Sequence, residues 1–295
     1  MADDGLIAGA AAPAGTRLVR SPILLDALWA ASVACAVVVS SRLPLIDLDT
    51  VYLRTFDPPL RVYALFIPVV AIVVAAMSVV LKSARSAAVA SGLLVPSIAL
   101  GGSLAGSLFL DDVSPFTDAG VPLGLAVSAV GIAMIIRWFV YQPSPSVTHD
   151  PRPAMRTAQA LVVLGALLAV SVFVSALRDD LGWSLSSVVP TLLMMLTPLV
   201  VVAAGLFRSV ESNALAAAAC GSQLVAVVVV RLDDEGVGLD SAFTLRTGVL
   251  GLIGLTCASA VAVIGMVGAT TELAADQGSV EPTDDASWRW SPDDV

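Results

Sequence analysis

The sequence predicts an all-α integral membrane protein, built as a polytopic bundle of about eight transmembrane helices. Of its 295 residues, 57% are hydrophobic and only 13% are charged, whereas soluble domains carry about 25% charged residues. The apolar residues come in long runs close to the roughly 20 residues that one membrane crossing needs. This pattern requires lipid as its solvent, so we expect a multi-pass protein of the cell membrane.

Eight runs qualify as spans, and together they define a transmembrane domain over residues 22–270. A flexible N-terminal segment, residues 1–21, precedes them; it lacks the basic start of a signal peptide, so we expect the first span to be retained. The seventh span is the shortest and has the most polar start. The predicted spans are residues 22–41, 62–81, 87–110, 121–141, 158–177, 188–207, 214–230 and 247–267.

The links between the spans are mostly short, which favours antiparallel neighbouring helices. Residues 42–61 carry an apolar and acidic run that is suited to the membrane interface. Residues 142–156 contain four prolines, which predict extended chain. After the last span, residues 271–295 form an acidic tail that we expect to be disordered, with seven acids against one Arg from Glu272 onwards.

The distribution of Lys and Arg predicts the orientation of the bundle. Nine of these residues fall on the side that holds both termini and six on the other side, so we expect cytoplasmic termini. Arg137, Trp138 and Tyr141 are predicted to form an interface cluster at the end of the fourth span. The nine are Arg17, Arg20, Lys82, Arg85, Arg137, Arg152, Arg156, Arg208 and Arg289.

The choice of charged residues is unusual. The chain has 20 Asp against 4 Glu, and 14 Arg against one Lys, Lys82. A carboxylate-rich surface that avoids Lys suits very salty water, where salt screens its self-repulsion. We therefore expect a halophilic, archaeal host. A GC-rich genome alone would explain the preference for Arg but not the excess of Asp.

Paired aspartates mark the ends of several spans on the predicted outer side. They could collect cations at an outer mouth, or they could simply mark where the lipid ends. The second interpretation is favoured, because a Ca²⁺ site needs six or more oxygens and no EF-hand spacing is present. The pairs are Asp111-Asp112, Asp179-Asp180 and Asp233-Asp234, with Asp47 and Asp49 in the first outer link.

A faint internal repeat joins two of the short links. The segments that begin at Lys82 and Arg208 share a cation, two Ser, two Ala and an aliphatic residue at the same offsets. Four helices per unit would make the halves parallel repeats about an axis along the membrane normal.

Small residues and prolines add local expectations. Glycines spaced along the third and eighth spans should allow close helix packing. Prolines interrupt the second, third and sixth spans; such breaks can form binding sites in transporters, but more often they only kink a packed helix. Gln223 beside Ser222 is the most polar interior point. The glycines are Gly102, Gly106, Gly248, Gly251 and Gly254, and the prolines are Pro68, Pro96, Pro190 and Pro198.

The spans offer little chemistry. Their only charges are Asp26 and Arg137, each close to a helix end, so a proton relay, a voltage sensor and a Schiff-base lysine are excluded. The single histidine, His149, lies in a link. The three cysteines, Cys35, Cys220 and Cys257, form no CxxC pair and are interpreted as small buried hydrophobes. We expect no catalytic residue, metal, cofactor or nucleic-acid partner.

One segment has a resemblance to a known family. Ala219-Cys220-Gly221-Ser222 precedes Arg231 and Arg246 on the outer side, and a membrane thiol with two arginines loosely resembles the archaeosortase transpeptidases. The resemblance covers residues 219–246 only, and it departs from the family's motif because Gly-Ser follows the cysteine directly. It implies a thiol nucleophile at Cys220.

Three functions follow from these observations. The first is a non-enzymatic membrane subunit or scaffold that binds a membrane or soluble partner through its loops and acidic tail. The second is a permease for a neutral or apolar solute, favoured by the repeat and the prolines. The third is the membrane thiol transpeptidase. The absent coupling charges count against a driven transporter, and the depth of Cys220 in its span counts against the transpeptidase.

Overall fold

The structure is a computed structural model that describes residues 22–41, 44–46, 51–52, 58–110, 120–140, 151–178, 192–231 and 249–278. These residues are almost all helical. The exception is a short antiparallel strand pair in the first link, where Pro44 pairs with Tyr52. The elements are α1 (Pro22–Ser40), β1 (Pro44–Ile46), β2 (Val51–Tyr52), α2 (Pro58–Val80), α3 (Ala84–Leu110), α4 (Gly120–Val140), α5 (Pro151–Arg178), α6 (Leu196–Phe207), α7 (Val210–Arg231) and α8 (Val249–Gly278).

The prediction of an all-α membrane protein is confirmed, while the count of eight crossings is not. Each predicted span overlaps one helix, yet only five helices among the described residues are long and apolar enough to cross a membrane: α1, α3, α4, α5 and α8. In α2 and α6 the described apolar stretches, Leu65–Val80 and Leu196–Phe207, are shorter. Helix α7 carries Glu211, Asn213 and Gln223, which lower its hydropathy.

The sixth predicted span is interrupted at Met195. Residues 192–194 are helical, Met195 forms a turn, and α6 runs from Leu196 to Phe207; residues 188–191 lie outside the described residues. Pro198 explains the break, because it has no N–H to donate to the carbonyl of Met194 and its ring clashes with that carbonyl. By contrast, α2 and α3 run without interruption through Pro68 and Pro96, so these prolines lie inside continuous helices and do not break them. Pro190 lies outside the described residues.

Two other boundaries differ from the prediction. Helix α5 begins at Pro151, inside the link predicted to be extended, because the first helical turn needs no N–H donor and tolerates proline. Helix α8 continues to Gly278, so the tail boundary predicted at residue 271 falls inside a helix. Glu272, Leu273, Ala274 and Ala275 are good helix formers and extend the helix past its apolar part.

Helix α3 is the centre of the bundle. Within Ala84–Ser103, 78% of the residues are buried, against 22–44% for the other four candidate spans. It packs against α1, α2, α4 and most extensively against α7. The contact with α7 is very close, because a Cβ added to Gly92 would lie 2.3 Å from the carbonyl oxygen of Leu215. Small residues at such crossings let helix backbones approach, as in other membrane bundles.

Large apolar side chains cover the outside of the bundle. Phe66, Val80, Leu167 and Ile264 each expose more than half of their surface. Water would make this arrangement costly, whereas lipid tails are its natural surroundings. The exposed apolar shell therefore agrees with the membrane assignment.

Candidate functional site

The most polar part of the interior is a group of five buried side chains on four helices, which we call the polar layer. Its members on α3 and α7 occupy matching positions, because Ser97 and Gln223 each follow the first residue of their helix by thirteen positions, or about 20 Å along the axis. All five expose less than a tenth of their surface. The polar layer consists of Ser97, Ser128, Thr197, Ser222 and Gln223.

Most of the polar layer is used for helix-to-helix hydrogen bonds. From α4, the Ser128 hydroxyl donates to the carbonyl of Ile98 at 2.9 Å. From α7, the Ser222 hydroxyl donates to the carbonyl of Leu93 at 2.9 Å. These serines therefore tie α3 to its neighbours.

Between α6 and α7, the Thr197 hydroxyl donates to Oε1 of Gln223 at 3.3 Å. The sequence singled out Gln223, and the structure adds its partner on another helix. Interhelical bonds of this kind contribute about 0.6 kcal/mol on average in membrane bundles. They stabilise packing and offer no acid or base for catalysis.

Two buried polar atoms among the described side chains have no hydrogen-bond partner: the hydroxyl of Ser97 and Oδ1 of Asn213. Ser97 belongs to the polar layer. Asn213 lies near the start of α7, where its amide nitrogen would be 2.9 Å from a Cβ added to Gly265 of α8. Unpaired polar atoms are unusual in a packed interior and require a physical explanation.

The two charges of the predicted spans form an ion pair that the sequence analysis missed. Nε of Arg137, in the last turn of α4, lies 2.7 Å from Oδ1 of Asp26, near the start of α1. The guanidinium carbon also lies 5.9 Å from the ring centroid of Trp29. The sequence contained a signal for this ion pair, because Asp26 and Arg137 are the only charges within the predicted spans and both fall near the same predicted membrane face.

The predicted interface cluster around Arg137 is partly wrong. Trp138 points into the bundle and is 5% exposed. Its indole N–H donates to the hydroxyl of Ser91 at 2.9 Å, and that hydroxyl donates to the carbonyl of Ala87. Trp138 therefore lies on the inward face of α4, because its N–H finds a buried acceptor there. Tyr141 lies outside the described residues.

Of the transpeptidase-like residues, the structure describes Cys220 and the backbone of Arg231. Cys220 is fully buried on α7, and Arg231 ends that helix eleven residues later, about 16 Å along its axis. Arg246, His149 and the outer aspartate pairs lie outside the described residues. Cys35 and Cys257 are exposed on the apolar surface, so the prediction of burial holds only for Cys220. The described part of the chain contains no cluster of metal ligands.

Comparisons with protein-family models, with curated proteins and with solved structures find no match to this chain. The proposed function therefore rests on the geometry of the described residues alone. That geometry consists of a central helix held by neutral hydrogen bonds, one ion pair close to a membrane face, and an unpaired serine in the polar layer.

Proposed function

We propose that the protein is a non-enzymatic membrane subunit, with eight crossings and both termini in the cytoplasm. The observation that carries this proposal is the use of the polar layer, whose Ser128, Ser222 and Thr197 hydroxyls all donate within the bundle. General acid–base work needs a titrating group at the reacting atoms, and the polar layer contains none. The loops and the acidic tail of the protein are the segments through which it would bind a partner.

Substitution of the candidate catalytic residues tests this function. We expect Cys220→Ala, His149→Ala, Arg231→Ala and Arg246→Ala each to complement a deletion strain as well as the unchanged protein does, because none of them carries a chemical step. Complementation is compared at equal protein level in the membrane. Loss of function in Cys220→Ala and in one arginine variant, at normal accumulation, would contradict the proposal and favour the transpeptidase.

Two parallel four-helix repeats are part of the proposal. Lys82 and Arg208, 126 residues apart, are the only described non-glycine residues with positive φ, at 49° and 56°. In both segments the next residue caps the following helix: Ser83 Oγ accepts from the N–H of Ser86, and Ser209 Oγ accepts from the N–H of Ser212. Matching backbone conformation and matching caps support a duplication.

The packing of the helices supports the same relation. If α1–α4 correspond to α5–α8, then α3 and α7 are equivalent helices, and the axis that relates the two halves passes between them. Their interface is the most extensive in the bundle. The contact of α2 with α7 then has its counterpart in the contact of α6 with α3. At the crossing, a Cβ on Gly92 would lie 2.8 Å from the Cβ of Ala218, which is again 126 residues away.

Eight crossings remain compatible with the short apolar stretches of α2 and α6 and with the low hydropathy of α7. The criterion of length and hydropathy describes a helix that faces lipid, whereas α7 is covered by α3, α6 and α8. A polar residue such as Gln223 can be tolerated in such a covered helix because it finds a partner there.

A second function, a permease for a neutral solute, is favoured by the repeats. In transporters built from repeats, substrate sites lie near the membrane midplane between the repeats, beside interrupted helices. The polar layer has this depth, and Pro96 and Pro198 adjoin it. Because the polar layer carries no charge, such a permease would be uncoupled or driven by a partner.

The proposed orientation predicts the outcome of cysteine labelling. In intact cells, a cysteine introduced at Ser114 should react with an impermeant reagent from outside, and one at Ser146 should not. The expectation follows from the Lys and Arg count in the sequence, nine on the side of the termini against six on the other. Reversed labelling would contradict the orientation, and equal labelling would contradict the number of crossings.

A halophilic, archaeal host is also part of the proposal, and it predicts a dependence on salt. With a net charge of −9, the detergent-solubilised protein should stay monodisperse at high ionic strength and self-associate or unfold in dilute buffer, where carboxylate repulsion is unscreened. Size-exclusion chromatography across a salt series measures this. An unchanged profile in dilute buffer would argue against a halophilic origin.

A further inference from the structure

The unpaired hydroxyl of Ser97 is the starting observation. Ser97 is 7% exposed, and its Oγ has no hydrogen-bond partner. A buried hydroxyl without a partner is unfavourable, because it has lost water and gained nothing in exchange. At the depth of the polar layer, lipid offers no partner either. The position therefore fits a hydrogen-bonding partner that the chain itself does not supply.

The proposed repeat shows what is different about Ser97. Its counterpart 126 residues later is Gln223, which pairs with Thr197 of α6. The counterpart of Thr197 in the first half is Ala71 of α2, which is fully buried, and α2 packs against α3 as α6 packs against α7. The contact between α6 and α7 holds Gln and Thr, whereas the proposed repeat places the much smaller Ser and Ala at the corresponding contact between α2 and α3. The hydroxyl of Ser97 has no partner where the other half has a completed pair.

We propose that α2 and α3 leave a crevice at Ser97 and Ala71, and that it binds a small uncharged solute that donates and accepts hydrogen bonds. This proposal rests on the permease reading of the protein. Pro96 adjoins Ser97 and leaves the carbonyl of Gly92 without its usual helix donor. Such a carbonyl is an acceptor for the donors of a solute.

The class of solute follows from the charges. Among the described side chains, the charged ones lie at helix ends, and the polar layer has none. An ion would therefore enter without a counter-charge, at a large desolvation cost. A small polyol or amide keeps its hydrogen bonds by exchanging water for Ser97 and the backbone carbonyl of Gly92.

Osmotic reswelling of vesicles tests the proposal. The full-length protein is reconstituted into phospholipid vesicles, and reswelling is followed by light scattering with glycerol, and separately urea, as the probe. We expect reswelling faster than in protein-free vesicles. Ala71→Thr should fill the crevice and give Ser97 a partner, which lowers the protein-dependent rate about tenfold for a loss equal to one hydrogen bond. Ala76→Thr, on the exposed face of α2, is the control and should leave the rate unchanged.

The outcomes separate the two claims. If the unchanged protein does not accelerate reswelling, both the permease reading and the crevice are overturned. If it does, but Ala71→Thr matches Ala76→Thr, the crevice is overturned and the permease reading stands. Ser97→Ala, which adds no volume, decides the case if Ala71→Thr is not monodisperse: a lowered rate supports the crevice, and an unchanged rate overturns it.

Discussion

Gly92→Ala is expected to destabilise the bundle by about 1–3 kcal/mol or more, the range for overpacked cores. The added Cβ would lie 2.3 Å from the carbonyl oxygen of Leu215 and 2.8 Å from the Cβ of Ala218. The first of these atoms is backbone and cannot rotate away, so α3 and α7 must separate. Because this contact is the centre of the largest helix interface, the separation should affect the whole bundle.

Thermal unfolding of the purified protein in detergent measures the effect, with Gly101→Ala as the matched control. Gly101 lies on the same helix, and a Cβ added there meets nothing within 4 Å. The control should be neutral or slightly stabilising, since alanine is favoured over glycine in helices by roughly 0.5–1 kcal/mol. Equal unfolding temperatures for the two variants would contradict the close crossing of α3 and α7.

The helices were predictable because their information is local. An apolar run of sufficient length specifies a helix wherever it lies, and the run at residues 22–41 coincides with α1, Pro22–Ser40. The start of α6 was harder to predict from the sequence, although the proline that causes it is also a local feature. Pro198 breaks the helix three residues before itself, while Pro96 leaves α3 continuous. The difference depends on the surroundings of each proline, which a sequence does not contain.

The arrangement of the helices was much less predictable. Nothing in the composition of α3 distinguishes a central helix from a peripheral one, apart from its small residues and a lower hydropathy of 1.4, against 2.0–2.3 in the other candidate spans. In a membrane, both kinds of helix are apolar, so hydropathy does not separate core from surface. The hydrogen-bond partner of Gln223, Thr197 on α6, was not predictable either, because it depends on which helices pack together.

The proposed repeat was more predictable than the arrangement of the helices and less predictable than the helices themselves. The sequence match at Lys82 and Arg208 was short, and low-complexity Ala and Ser segments can produce it. What strengthens it is conformation, because both cations adopt the left-handed region, which is uncommon for residues with a Cβ. Shared strain at matching positions is harder to obtain by chance than shared composition.

The ion pair of Asp26 and Arg137 should show strong coupling in a double-mutant cycle. The side chains are 15% and 24% exposed, respectively, so the pair lies between exposed pairs, worth about 0.2–1 kcal/mol, and buried ones, whose disruption costs about 3–5 kcal/mol. Asp26→Ala and Arg137→Ala each break the ion pair. The arginine variant should be the less stable of the two, because it also loses the contact with Trp29.

The double variant removes both charges, so its loss of stability should be smaller than the sum of the two single losses by on the order of 1–2 kcal/mol. The free energy of unfolding is measured for all four proteins under one set of conditions. Arg85→Ala is the control, because it removes a cation at the same end of the bundle and no ion pair of Arg85 is observed among the described residues. If the single losses add up to that of the double variant, the charges do not stabilise each other, and the contact of α1 with α4 depends on apolar packing alone.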